Sequence, residues 1–208
     1  MHGLDQDALD HRIGELILAE AAIRHAQPAT TDLSPPHVAV IGPTQTGKST
    51  LVNLLLGGSE AVVSPLAGFT VHPQGFWVNA TPGDETWADG LFPEWRRCAA
   101  GELTRDQLAA YSLTPVSPPT TIMDNLFERP PEVPPCVVWD TPDFDSLAAR
   151  RYARGVLETA ALADLHVLVL SKEKYSDLSV WRLLELLGPL RRPLIICLNK
   201  LTPEARTP

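Results

Sequence analysis

Residues Gly42-Pro43-Thr44-Gln45-Thr46-Gly47-Lys48-Ser49 fit the pattern G-x-x-x-x-G-K-[ST] at every fixed position, directly after the apolar run Val38-Ala39-Val40-Ile41. Glycines at both ends let the backbone wrap an anion with its N–H groups turned inward, and the helix that follows offers its positive end to the same anion. In this pattern the lysine, Lys48, reaches the β- and γ-phosphates of a nucleotide, and the Ser49 hydroxyl ligates Mg²⁺. Thr50-Leu51-Val52-Asn53-Leu54-Leu55-Leu56 continues with helical apolar spacing and stops at Gly57-Gly58. The context is strand, loop and helix, as a phosphate-binding loop requires. An ordinary glycine turn needs none of it.

Composition narrows the partners. With 208 residues, 44% of them hydrophobic, the chain can bury one good core, and one domain is expected. The net charge is −8 with only 17 Lys and Arg, so no basic stripe marks nucleic acid or anionic lipid as the main ligand. Cys98, Cys136 and Cys197 are odd in number and scattered, against both a disulfide framework and a zinc site. Cys136 and Cys197 fall in apolar runs and read as small buried hydrophobes. No stretch reaches the roughly 20 apolar residues of a membrane span, and the acidic N-terminus does not resemble a signal peptide, so a cytoplasmic location is the default.

Along the chain, Leu9, Ile13, Leu16, Ile17 and Ala21 predict a helix over 4–26 that packs on the domain's flank, followed by a Pro/Thr/Ser-rich linker. Residues 1–35 are therefore set apart from a nucleotide-binding domain over 36–208. Val62-Val63 and Phe76-Trp77-Val78-Asn79 look like short strand pieces. From 81 to 135 proline accumulates and periodicity weakens, which reads as an insertion. Within it Trp87, Leu91 and Trp95 predict a short helix, 104–112 another, and the aromatic side chains of Trp87, Phe92 and Trp95 are expected to cover core. Beyond it come an apolar strand at 136–140, a helix at 146–163, a strand at 166–170, a helix at 179–187 and a strand at 194–198. Near-continuous apolar strands alternating with amphipathic helices predict a three-layer α/β fold, its mainly parallel sheet covered on both faces. The ligand belongs at the carboxyl ends of the strands.

Two further motifs fall at strand ends on that edge. Asp140-Thr141-Pro142-Asp143 sits where a phosphate-loop protein places the aspartate that holds Mg²⁺ directly or through water. Asn199-Lys200-Leu201-Thr202 follows the last strand.

The order of phosphate loop, threonine-bearing loop, Asp-x-Pro-x and Asn-Lys-x-x resembles the translation-factor-type GTPases, most closely the Era/TrmE/EngA-like branch and its bacterial dynamin-like relatives. The likeness is carried by residues 38–55 and by Ala61-Val62-Val63-Ser64-Pro65-Leu66-Ala67-Gly68-Phe69-Thr70, which is similar to the family's switch I entry. It extends from about 37 to 202 and implies the P-loop NTPase fold with GTP or GDP and Mg²⁺ as ligands. It further implies that Gly42 through Thr50 hold the nucleotide phosphates, with Lys48 and Thr70 acting in catalysis. Ser49, Thr70 and Asp140 would hold Mg²⁺, with Thr70 closing on the γ-phosphate as switch I and Asp140 opening switch II. Asn199 would contact the purine, and Lys200 would lie along the base and brace the phosphate loop.

Three positions depart from the family's pattern. Asp143 stands where glycine lets a backbone N–H approach the γ-phosphate, adding a bulkier side chain and like-charge repulsion. Phe144 stands where some members carry the glutamine that orients water, so intrinsic hydrolysis is expected to be slow and to rely on K⁺, an activating protein or a homodimer. Potassium-using members usually have asparagine where Gln45 sits. Thr202 replaces the aspartate that accepts two hydrogen bonds from guanine, which weakens base selectivity. The sequence also ends before the family's final strand and helix. The leading expectation is a GTP-binding switch. A non-hydrolysing nucleotide-binding scaffold and an ATP or mixed-nucleotide phosphotransferase remain open beside it.

Overall fold

The computed structural model describes residues 6–26, 34–63, 70–79, 85–88, 90–107, 109–116, 134–145 and 149–201. The strands are β1 (His37–Ile41), β2 (Gln74–Val78), β3 (Arg96–Arg97), β4 (Ala110–Val116), β5 (Cys136–Asp140), β6 (Leu165–Ser171) and β7 (Leu194–Asn199). The helices are α1 (Gln6–Ala26), α2 (Lys48–Leu56), α3 (Ala149–Leu162) and α4 (Leu178–Leu187). The strands form a seven-stranded sheet in the order β3-β4-β2-β5-β1-β6-β7. Every pairing is parallel except that of β2 with β5.

Alternation along the central strands divides the core into layers. Ala39 and Ile41 of β1 join Leu168 and Leu170 of β6 against α1, α3 and α4. Val40, with Val138, Val167 and Val169, faces the other way onto Val52 and Leu56 of α2. The expected three-layer α/β fold, mainly parallel with helices on both faces, is what these residues build. β1 leaves through α2 on one face and β5 through α3 on the other, so the two connections diverge and open a crevice at their carboxyl ends.

Several local expectations are corrected. Helix α1 forms, but its inner face is Gly14, Leu18 and Ala21 with Ile17 half-buried, whereas Leu9, Ile13 and Leu16 are exposed. Side chains this small let the helix pack closely: a Cβ on Gly14 would meet Leu186 Cδ1 at 3.3 Å. The helix is also tied down by Arg24, whose guanidinium lies 2.8 Å from the buried carboxylate of Glu158 on α3. Val62 and Val63 are exposed and belong to no strand, because the chain there is held by Asn53, which exchanges hydrogen bonds with both the N–H and C=O of Ala61.

The span 81–135 yields no α-helix among its described residues. Two short 3₁₀ turns form, at Glu85–Ala88 and Ala100–Glu102, and the chain over 110–116 is strand β4, not the end of a helix. The β4 strand is set by its pairing with β2, which runs from Gln74↔Ser112 to Val78↔Val116. The aromatic residues do cover core. Trp77, Trp87, Leu91, Phe92 and Tyr111 enclose the fully buried Trp139, with Trp95 partly buried against them. Phe92 meets Trp139 edge-on at a centroid distance of 5.5 Å.

At the other side of the sheet β7 is an edge. Leu194, Ile195, Ile196 and Leu198 are all at least 40% exposed, in contrast to the buried β1 and β5. Among the described residues no helix is long and apolar enough to cross a membrane.

Candidate nucleotide-binding site

The site is built where β1, β5, β6 and β7 end. Past Ile41 the chain turns through Gly42, where a Cβ would collide with the carbonyl of Val169 on β6. Glycine is required there by close approach alone. Gln45 and Gly47 both adopt left-handed backbone, at φ 60° and 99°, and Gly47 is the N-cap of α2. A Cβ on Gly47 would also strike Nδ2 of Asn199, so two independent constraints hold that position. The loop is cross-braced by Thr46, whose hydroxyl donates to the Pro43 carbonyl at 2.9 Å.

Lys48 is the buried centre of this arrangement. Its ammonium donates to the carbonyls of Gly42 at 2.9 Å and Pro43 at 3.1 Å, and its third partner is the carboxylate of Asp143. Ser49 donates from Oγ to Asp140 Oδ2 at 2.6 Å. The other oxygen of Asp140, Oδ1, is buried with no hydrogen-bond partner. Burial pushes the Asp140 pKa up to about 6; the Ser49 hydroxyl and the Lys48 charge oppose that rise, and the Asp143 charge adds to it. An orphaned carboxylate oxygen beside a hydroxyl is a hard-oxygen donor set, which suits Mg²⁺ held by one or two protein ligands plus phosphates. Among the described residues no cluster of three or more His, Cys, Asp or Glu is placed to hold a metal ion.

The base-reading motif meets the same loop from β7. Asn199 donates from Nδ2 to the Thr46 carbonyl at 2.9 Å, and Lys200 donates from Nζ to the Gln45 carbonyl at 2.6 Å. Lys200 itself is left-handed at φ 55°, and its backbone N–H is held by Asn199 Oδ1 at 2.8 Å. Positive φ in non-glycine residues on both sides of one contact is strain retained at a site.

The structure thus brings together Gly42, Pro43, Thr44, Gln45, Thr46, Gly47, Lys48, Ser49, Asp140, Asn199 and Lys200. Thr50 is exposed on the first turn of α2. Thr70 lies half-buried in the approach to β2, and no hydrogen bond joins it to the phosphate loop, Ser49 or Asp140. The stretch 64–69 before it and Thr202 lie outside the described residues. Phe144 is partly buried against the α1, α3 and α4 side of the core.

Two contributors escaped the sequence reading. Asp145 Oδ1 accepts from the Thr44 backbone N–H at 2.5 Å and from its hydroxyl at 2.7 Å, while Lys174, after β6, donates to Asp145 Oδ2 at 2.7 Å. Burial works to raise the Asp145 pKa, but the hydrogen bonds from Lys174 and Thr44 outweigh it and hold the carboxyl below its ordinary value. The recurrence of aspartate at 140, 143 and 145 was the available signal for Asp145. Lys174 had none, because its partner comes from 29 residues upstream.

The chain is similar in sequence to known GTPases. A family model described as "50S ribosome-binding GTPase" matches residues 37–200. GTPase Der of Synechococcus sp. (strain JA-3-3Ab) is 42% identical over 64 residues, covering 29% of this chain and 14% of that protein. GTPase Der of Mycolicibacterium paratuberculosis is 47% identical over 98 residues, covering 43% of this chain and 19% of that protein. The chain therefore spans less than a fifth of the length of these curated relatives. Among solved structures, Era in complex with MgGDPNP and a piece of 16S ribosomal RNA superimposes with a TM-score of 0.49 at 17% identity, over 82% of this chain and 43% of that one. With the family model spanning the phosphate loop, Asp140 and Asn199-Lys200, the chain belongs to the 50S ribosome-binding GTPase family.

Proposed function

We propose that this chain is a Mg²⁺-dependent GTP-binding switch whose hydrolysis is slow or depends on a partner. The observation that carries the reading is the double tie between the base-reading motif and the phosphate loop, Asn199 to Thr46 and Lys200 to Gln45. A phosphate loop alone does not choose a base or a reaction; one braced by Asn-Lys from the end of a late strand supports a guanine-nucleotide site over a kinase.

In this reading the N–H groups at the start of α2 and Lys48 bind the phosphates, and Ser49 with Asp140 holds Mg²⁺. The ion, when bound, offsets negative charge on the phosphate oxygens. Thr70 would complete the metal site with Ser49 and Asp140, in the part of switch I. Phe144 offers no polar atom to orient water and is packed on the apolar core, which supports slow intrinsic turnover and a stimulating agent such as K⁺, a second copy of the chain or another protein. The same two residues, Phe144 and the Asp143 that occupies Lys48, favour as a second reading a scaffold that binds nucleotide without hydrolysing it.

Phosphate release from GTP, followed with Mg²⁺ or EDTA and in K⁺ or Na⁺, tests the reading. Slow Mg²⁺-dependent release supports the switch. Tight GTP binding with no release under any condition supports the scaffold, and no GTP binding at all sinks both.

A further inference from the structure

The segment Asp140-Thr141-Pro142-Asp143-Phe144-Asp145 places two carboxylates on groups that a phosphate loop offers to phosphate. Asp143 Oδ1 takes the third donor of Lys48, both residues being buried, with side chains 10% and 5% exposed. Asp145 Oδ1 takes the backbone N–H and the hydroxyl of Thr44, midway along the loop, and is itself fixed by Lys174. Lys48 spends its other donors on the carbonyls of Gly42 and Pro43, so an incoming phosphate oxygen must displace a loop contact or Asp143. Asp140 adds a third carboxylate within the same crevice.

We propose that Asp143 and Asp145 act as a built-in substitute for the terminal phosphate, making this chain select a nucleoside diphosphate over a triphosphate until the segment is drawn away. The inference rests on the guanine-nucleotide reading above and assigns the specificity of that same site. Its physical basis is competition for fixed donors. The inner phosphates draw on the N–H groups at the start of α2 and on the Lys48 ammonium, which can serve a β-phosphate and Asp143 together. A γ-phosphate has to take the place of Asp143 on Lys48 and of Asp145 on the outer loop, and it brings further negative charge up to carboxylates that cannot be in the same place. Selectivity by an opposing charge needs no additional contact to the diphosphate. The inner part of the segment is anchored by Thr141, whose hydroxyl donates to the Val40 carbonyl. Its outer part is connected to the rest of the molecule through Phe144, which packs on the core beside α1 and α4, and through Lys174, in the turn before α4. A partner that shifts either of them has a direct means of withdrawing the carboxylates.

Equilibrium binding of GDP and of a non-hydrolysable GTP analogue, each with Mg²⁺, to the whole chain is the test. The wild type is expected to bind GDP at least tenfold more tightly than the analogue. Asp143→Asn and Asp143→Gly should each cut that ratio about tenfold by tightening the analogue, with GDP affinity changed less than threefold; Asp145→Asn should cut it by a smaller factor. If the wild type binds the analogue as tightly as GDP, the inference is overturned whatever the variants do, and the nucleotide-site reading stands. An unchanged ratio in folded Asp143 variants overturns it equally. Failure of the wild type to bind either nucleotide overturns both.

Discussion

Strand β1 ends in two different kinds of polar cluster. At its amino end His37 is buried, accepting at Nδ1 from the Trp139 indole N–H at 3.0 Å, with Nε2 3.2 Å from Ser34 Oγ and its backbone N–H on Asp164 at 2.9 Å. Trp87 lies edge-on to the His37 ring at 5.6 Å and closes that end against the aromatic core. The His37 ring has a neutral partner at each nitrogen and the Asp164 carboxylate holds its backbone; the unmet polar atom at this end is the Trp87 indole N–H, a neutral donor packed among aromatic rings. At the carboxyl end Lys48, Asp140 and Asp143 are packed together, with Asp140 Oδ1 unmet and left-handed backbone at Gln45, Gly47 and Lys200. Burial alone does not mark a functional group. What separates the two clusters is a buried ammonium–carboxylate pair, an unmet carboxylate oxygen and left-handed backbone brought together at the carboxyl end.

The contrast can be broken most forcefully at Lys48. Lys48→Ala should weaken GDP binding about a thousandfold, or about 4 kcal/mol. Because it strands the buried Asp143, the double variant Lys48→Ala/Asp143→Asn should recover the melting temperature and still fail to bind. If Lys48→Ala binds GDP normally, the carboxyl-end cluster is structural like its counterpart.

The amino-end cluster should show itself in acid instead. Burial holds the His37 pKa down at about 4, with Asp164 pulling it upward and His25 adding to the depression. A histidine neutral in the fold and protonated in the unfolded chain contributes stability that is complete above about pH 6.5 and is lost as pH falls toward 4. Denaturant titrations across that window should lose about 3 kcal/mol from this group. His37→Gln should flatten the slope without altering nucleotide affinity measured at pH 7.5.

Asn199→Ala removes the brace on Thr46 and should weaken GDP about tenfold, read by the same binding assay, while leaving the melting temperature nearly unchanged because Asn199 is on the exposed edge strand. The smallest effect is expected at Thr202. Thr202→Asp, restoring a carboxylate acceptor, should raise the preference for GTP over ATP about fivefold; no change would mean that the base is read elsewhere.

Most of the architecture was legible because the buried parallel strands β1, β5 and β6 are nearly continuous apolar runs and the phosphate loop fixes its own strand and helix. The misread parts have identifiable causes. In α1 the large residues Leu9, Ile13 and Leu16 suggested the inner face, but close helix packing selected Gly14, Leu18 and Ala21. Over 104–116, proline and mixed polarity hid a strand that is specified by its partner β2 rather than by its own pattern. At the site, each motif residue could be placed by order along the chain, yet the pairing of Asp143 with Lys48 could not. The sequence suggests repulsion toward a phosphate at position 143; the fold adds that the same carboxylate already occupies the phosphate's cation.

The account rests on guanine nucleotide binding at the carboxyl end of β1, and competition against labelled GDP in the presence of Mg²⁺ tests it most directly. The account predicts that GTP and GDP displace the label and that ATP needs at least about tenfold more to do so. Displacement by ATP as readily as by GTP would contradict it.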